Sequence, residues 1–183
     1  MPMVPVPQLK ERTLTVNGVS KAYSMTGWRI GFAGGPATLI KAMNKLQSQS
    51  TSSPNAIAQA AAAAALNGAL DEISSNTALL EQRRNRAFDA LSTIQGLTVA
   101  KPQGAFYFYI SVAGWIGKTT DKGKTLENDD DVAQFLLEDY LLAIVSGKGF
   151  GLSPYIRLSY SASDQEVDAG IEALRRASLE LHS

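Results

Sequence analysis

The residue pattern predicts an α/β protein, and three observations carry that expectation. Short runs rich in β-branched and aromatic residues alternate with longer segments whose apolar residues keep helical spacing. Glycine and proline punctuate the junctions between the two kinds of segment. The 183 residues are 45% hydrophobic and 19% charged, a globular composition with enough chain for one ordinary domain or two small ones.

The elements follow in order. Thr13–Val16 is expected as a short strand ended by the turn pair Asn17-Gly18. A loop carrying Lys21 leads to a second strand over Trp28–Ala33, broken by Gly34-Gly35-Pro36. Pro36 suits the first position of a helix, where its missing N–H would be unpaired anyway. That helix is expected to run to about Gln47, with Leu39, Met43 and Leu46 on one face. Ser53-Pro54 repeats the device, serine as N-cap and proline as first residue of an alanine-rich helix that Gly68 stops.

A long amphipathic helix is expected from about Leu70 to Ile94, closed by Gly96. Strands at Leu97–Ala100 and Phe106–Ser111 come next. Residues 113–128, rich in Gly, Lys and Thr, read as an exposed loop. Asp129, Asp130 and Asp131 favour a helix N-terminus electrostatically, and the helix is expected to reach about Tyr140. Strands at Ala143–Ser146 and Tyr155–Ser159 precede a capping box, Ser163 with Glu166, which opens a last helix buried through Val167, Ile171, Leu174 and Leu181. Residues 69–183 thus read as a compact α/β unit. Residues 1–68 supply two strands and two helices that are short of partners.

Composition excludes several chemistries. There is no cysteine, so disulfides, thiolate metal sites and a cysteine nucleophile are out. The one histidine, His182, lies in the C-terminal tail, which nearly excludes a histidine-rich metal site or a Ser-His-Asp triad. Seventeen basic and seventeen acidic residues cancel, so nucleic acid and anionic membranes are not expected partners. The charge is nonetheless uneven: residues 1–70 hold six basic residues against Glu11 alone, and the remainder eleven against sixteen acidic. No stretch approaches the ~20 apolar residues of a membrane span. The start, with Pro2, Pro5 and Pro7, has neither a basic n-region nor a long apolar run, so no signal peptide is expected and a cytoplasmic protein is.

The densest constellation of chemistry-bearing residues is Gly18-Val-Ser-Lys21-Ala-Tyr-Ser-Met-Thr-Gly-Trp-Arg29-Ile-Gly31. No Asp or Glu lies between Glu11 and Asp71, and small residues surround the lysine. An amine and a guanidinium in such a setting suit an aldehyde bearing a phosphate: the amine condenses with the aldehyde and the guanidinium forks onto phosphate oxygens. A solvated loop lysine and a surface strand arginine fit the spacing too, and spacing alone does not decide between them.

This stretch resembles the pyridoxal-phosphate attachment signature of class I and II aminotransferases. Gly18, Ser20, Lys21, Arg29 and Gly31 satisfy it, and the run from Lys21 to Gly31 is similar to the bacterial aspartate/prephenate aminotransferase branch. The resemblance continues through Ser53-Pro-Asn-Ala-Ile-Ala-Gln59, Pro102-Gln-Gly-Ala-Phe-Tyr107 and Tyr155-Ile-Arg-Leu-Ser-Tyr160, so it covers nearly the whole chain from about Leu9. It implies the C-terminal half of the type I fold of pyridoxal-phosphate-dependent transferases: residues 1–68 as a remnant of the large cofactor-binding domain and residues 69–183 as the small C-terminal domain.

The resemblance also implies roles. Lys21 would hold pyridoxal 5'-phosphate covalently and, once displaced, move the proton at the substrate Cα. Arg29 would bind the cofactor phosphate, and Arg157 would clamp the substrate carboxylate through a bidentate pair. Gly18 stands where some members carry a phosphate-binding serine, which leaves Ser20 as the hydroxyl candidate. Gly104 and Phe106 would sit near the substrate pocket, whereas Tyr23 and Trp28 read as packing residues. Ser146–Gly151 is rich in glycine without phosphate-loop spacing, so it reads as a turn.

The expected activity is aspartate-type transamination between an amino acid and a 2-oxo acid, in a homodimer. In family members a longer upstream segment supplies the acid on the cofactor's ring nitrogen and much of the side-chain pocket. An inactive folded fragment that only self-associates is therefore the alternative, and a pyridoxal-phosphate lyase of the same fold a third.

Overall fold

The computed structural model describes residues 7–182, so the prolines at positions 2 and 5 lie outside the described residues. The chain divides between Ser75 and Asn76 into two units, each with its own apolar cluster. Among the described residues no helix is long and apolar enough to cross a membrane.

In the first unit, β1 (Thr15–Gly18) and β2 (Gly31–Gly34) pair antiparallel, with Gly18 opposite Gly31 and Thr15 opposite Gly34. Asn17-Gly18 is therefore inside the strand rather than a turn. Both residues have partners across the pair, and the chain reverses over the whole of 19–30 instead of over two residues. Trp28 is likewise not a strand residue: it ends a short 3₁₀ turn, Thr26–Trp28, and β2 begins only at Gly31. It is also exposed, not packed, while Tyr23 lies against the small cluster of Val19, Ile30, Ala58 and Ala62.

Two α-helices lie wholly within this unit. In α1 (Ala37–Ser50), Pro36 stands just before the first helical residue. The apolar face is present but uncovered: α1 buries no residue, and Leu46 is 73% exposed. Helical spacing creates such a stripe without supplying what covers it. In α2 (Ala56–Asn67) the N-cap is Asn55, not Ser53; its Oδ1 accepts from Ile57 N at 2.9 Å and Ala58 N at 3.1 Å. Asparagine directly before the first turn satisfies two amides that would otherwise lack partners, and Pro54 stays outside the helix.

The second unit begins within α3 (Asp71–Leu91), whose C-terminal turns bury Ala87 and Leu91. The helix is shorter than 70–94. Ile94 lies beyond its end and turns inward, and Gly96 takes φ +83°, with Trp115 Cδ1 only 2.5 Å from where a Cβ would stand. Only glycine meets both demands. The sheet has the order β3 (Thr98–Val99), β4 (Tyr107–Ser111), β6 (Tyr155–Ser159), β5 (Val145–Ser146), every neighbour antiparallel. Its core face, with Phe108, Ile110, Ile156 and Leu158, shares one apolar cluster with α4 (Asp129–Tyr140) and α5 (Asp164–Leu179). The capping box at Ser163 and Glu166 forms as expected.

Residues 113–128 are not an open loop. Trp115 and Leu126 are buried in the core, and Trp115 Nε1 donates to Gln95 O at 2.9 Å. Gly117 N to Leu126 O (2.8 Å) and Leu126 N to Lys118 O (2.9 Å) hold the segment closed, and Thr119 exchanges two backbone bonds with His182. Two large apolar side chains outweigh the polar composition around them.

Several carboxyls of this unit titrate below the usual carboxylate range. Hydrogen bonds from Arg83 and Arg86 lower Asp164, Ser163 lowers Glu166, and Ser146 with Lys148 lowers Asp130. A folded-state pKa below the unfolded one stabilises the folded chain above the unfolded value, about 4, and the contribution is lost as pH falls through the folded value. The urea midpoint is accordingly expected to be flat above about pH 5 and to fall in more acid solution. Asp164→Asn should lower the neutral-pH midpoint and flatten that acid limb; an unchanged limb would show that these pairs do not govern acid unfolding.

Candidate functional site

The sequence-predicted residues fall into two groups, one in each unit. Ser20, Lys21 and Arg29 share the loop that joins β1 to β2. Val19 N donates to Ile30 O at 3.4 Å, and these two buried residues close the mouth of the loop. Tyr23 N to Val19 O and Ser24 N to Lys21 O wind a turn through Lys21. Thr26 then links both ends of the loop: its hydroxyl donates to Ser20 O at 2.9 Å, and its carbonyl accepts from Arg29 Nη1 at 3.0 Å.

Arg29 is not at the start of a strand. It sits in the left-handed region with φ 56°, as Ser24 does with φ 53°. A left-handed L-residue costs roughly 1–2 kcal/mol, and such strain persists where the surroundings over-determine it. Lys21 and Arg29 are both exposed and Ser20 is half-buried. Among the described residues, no acceptor is bonded to Arg29 Nε or Nη2. An amine, a guanidinium with open donors and a hydroxyl, in a stretch without carboxylates, form a donor set that fits an aldehyde carrying a phosphate.

Arg157 belongs to the second unit, in the middle of β6, opposite Tyr109 of β4 on one side and Val145 of β5 on the other. It lies on the face of the sheet away from the apolar cluster, with Tyr107, Tyr109 and Tyr155. Its Cζ stands over the Tyr107 ring at 4.5 Å and over the Phe150 ring at 4.4 Å. Among the described residues, no carboxylate pairs with Arg157 and no oxygen accepts from it.

Phe150 ends a 3₁₀ turn, Gly147–Phe150, so the reading of Ser146–Gly151 as a turn agrees with the structure. Two side chains, Tyr109 and Asp129, fix that turn. Tyr109 Oη lies 3.2 Å from Gly147 O and 3.1 Å from Leu152 O, within donating distance of both. Asp129, fully buried at the start of α4, accepts from Lys148 N at 2.9 Å and from the Ser153 hydroxyl. Gly147 is obligatory, because a Cβ there would stand 2.1 Å from Leu152 O.

Of the remaining expectations, Gly104 is exposed, and the Phe106 ring centroid lies 4.5 Å from that of Tyr107. Sequence reasoning missed Thr26, Tyr107 and Phe150. The alternation in Tyr107–Ser111 placed Tyr107 and Tyr109 on one face, but only the register with β6 brings that face to Arg157.

Comparison with known proteins assigns the class. The sequence model of the family described as aminotransferase class I and II matches residues 3–174, and the chain belongs to that family. Among individual relatives, it is 51% identical over 171 residues to an aspartate aminotransferase of Rhizobium meliloti, covering 93% of this chain and 42% of the relative. It is 48% identical over 170 residues to a probable aspartate/prephenate aminotransferase of Rhizobium leguminosarum bv. phaseoli, with the same two coverages. The crystal structure of the aspartate aminotransferase from Rhizobium meliloti superposes with TM-score 0.93 at 49% identity, over 96% of this chain and 44% of that one. The chain therefore has the fold of these enzymes over less than half of their length.

The buried Asp129 gives a direct test of the turn. Asp129→Ala strands the Lys148 amide and the Ser153 hydroxyl, so a loss of about 1–3 kcal/mol is expected in urea unfolding. A change within a few tenths of a kcal/mol would show that the turn holds without it.

Proposed function

We propose that the chain is part of a pyridoxal-phosphate-dependent aminotransferase that moves an amino group between an aspartate-type amino acid and a 2-oxo acid. The observation that carries this reading is the loop 19–30. There Ser20 and Arg29 are tied through Thr26 around Lys21, with no carboxylate in that stretch of sequence, in a chain that belongs to this family. The reading brings with it a homodimer acting in the cytoplasm, with residues 1–68 belonging to the cofactor-binding domain and residues 69–183 forming the small domain.

Each residue has a separate task. The Arg29 guanidinium would hold the phosphate, since Nη1 alone is bonded within the chain, to Thr26 O. Ser20 adds a hydroxyl to the same phosphate. Arg157 pairs side-on with the substrate α-carboxylate, which fixes the direction of the Cα–H bond. Lys21 Nζ would take the proton from the substrate Cα and hold it as the ammonium until it is delivered to the cofactor carbon that bore the aldehyde. Bound there, pyridoxal phosphate supplies the electron-withdrawing ring that makes the Cα–H bond acidic enough to break.

A second reading, a folded chain that only associates with itself, is favoured by the uncovered apolar face of α1 and by Ile57 of α2, which is 72% exposed. Mixing the purified chain with pyridoxal phosphate, reducing with borohydride and mapping the labelled peptides separates the two. A label concentrated on Lys21 and lost in Lys21→Ala is the expected result. Label spread evenly over many lysines would favour the second reading.

A further inference from the structure

Arg157 is held in an unusual way for a half-buried cation. Its contacts among the described residues are with the faces of two rings, and none of its N–H groups is spent on an oxygen. Ring faces attract the guanidinium through its plane, whereas carboxylates take its edge. Two rings can therefore fix the plane while leaving the edge donors open. The rings themselves are fixed. Tyr107 is on β4, locked by register to β6, and Phe150 is on the turn held by Tyr109, Gly147 and Asp129. Tyr109 is in turn stacked on Tyr155, with centroids 5.2 Å apart and ring planes 10° from parallel.

Resting on the carboxylate-clamp reading of Arg157, we propose that Tyr107 and Phe150 are positioning residues for a carboxylate-bearing substrate. They hold the Arg157 guanidinium with its edge outward, so that little of the side chain's rotational freedom is lost when the anion arrives. A flexible arginine would lose that freedom on binding. Neither ring contacts the reacting atoms; both act through the guanidinium. The turn 147–153 belongs to the same device, because it sets where Phe150 lies.

The test uses the full chain labelled with ¹⁵N-arginine and titrated with succinate, a plain dicarboxylate. The Arg157 Nε–Hε signal is assigned by its loss in Arg157→Lys. In the unsubstituted chain this signal should be displaced by the ring currents of Tyr107 and Phe150 and should shift further as succinate binds. Phe150→Leu keeps an apolar side chain at a half-exposed position but removes the π face. It should return the signal toward that of a solvated arginine and weaken succinate binding on the order of tenfold. Tyr107→Leu should act in the same direction, and Phe150→Tyr should restore both readouts.

If Arg157→Lys weakens succinate binding while both leucine variants bind as the parent does, the positioning inference is overturned and the clamp reading stands. If Arg157→Lys binds succinate as well as the parent, or the parent does not bind it, the clamp reading fails and the inference with it.

Discussion

The five residue pairs that join β4 to β6 are the constraint on which the second unit depends. With Tyr109 opposite Arg157, alternation sends Phe108, Ile110, Ile156 and Leu158 into the apolar cluster and leaves Tyr107, Tyr109, Tyr155 and Arg157 on the other face. A slip by one residue in β6 would turn the guanidinium into the core and Ile156 and Leu158 out of it. Burying an unpaired charge costs far more than the core gains from any one residue, so the register is strongly enforced. One pattern therefore sets both the packing of the unit and the position of Arg157.

The opposite face is organised from the edges of this pair. Asp129 at the first turn of α4 reaches the backbone of the 147–153 turn, and Asp130 bonds the Ser146 hydroxyl and the Lys148 ammonium. Three successive acids, which favour a helix N-terminus electrostatically, thus take different tasks. Asp131 Oδ2 accepts from Glu127 N, while its two predecessors hold down the segment that carries Phe150. Helix start, turn and aromatic contact form one chain of dependence that ends at Arg157.

Much of this was legible in the sequence where the signal was local. The Ser163–Glu166 capping box, the span of α4 and the limits of β6 depend on neighbours within a few residues, and they are found as expected. Expectation and structure part where distant partners decide. Segment 113–128 is polar by count, yet Trp115 and Leu126 find the core and close it. Leu39, Met43 and Leu46 have perfect helical spacing and remain exposed, because spacing says nothing of a cover. Asn17-Gly18 is a turn pair by composition and a strand pair by partner. The candidate site divides in the same way. Ser20, Lys21, Arg29 and Arg157 stood out by motif, while Thr26, Tyr107 and Phe150 act across gaps in sequence that only the folded chain closes.

The Arg157 guanidinium lies over the Tyr107 and Phe150 rings, and among the described residues no oxygen accepts from it. A crystal structure of the chain grown with succinate tests this most directly. The expected result is a carboxylate paired side-on with Arg157 while its guanidinium still lies over Tyr107 and Phe150. Arg157 forked onto one of the chain's own carboxylates, with the two rings turned away and succinate elsewhere, would contradict it.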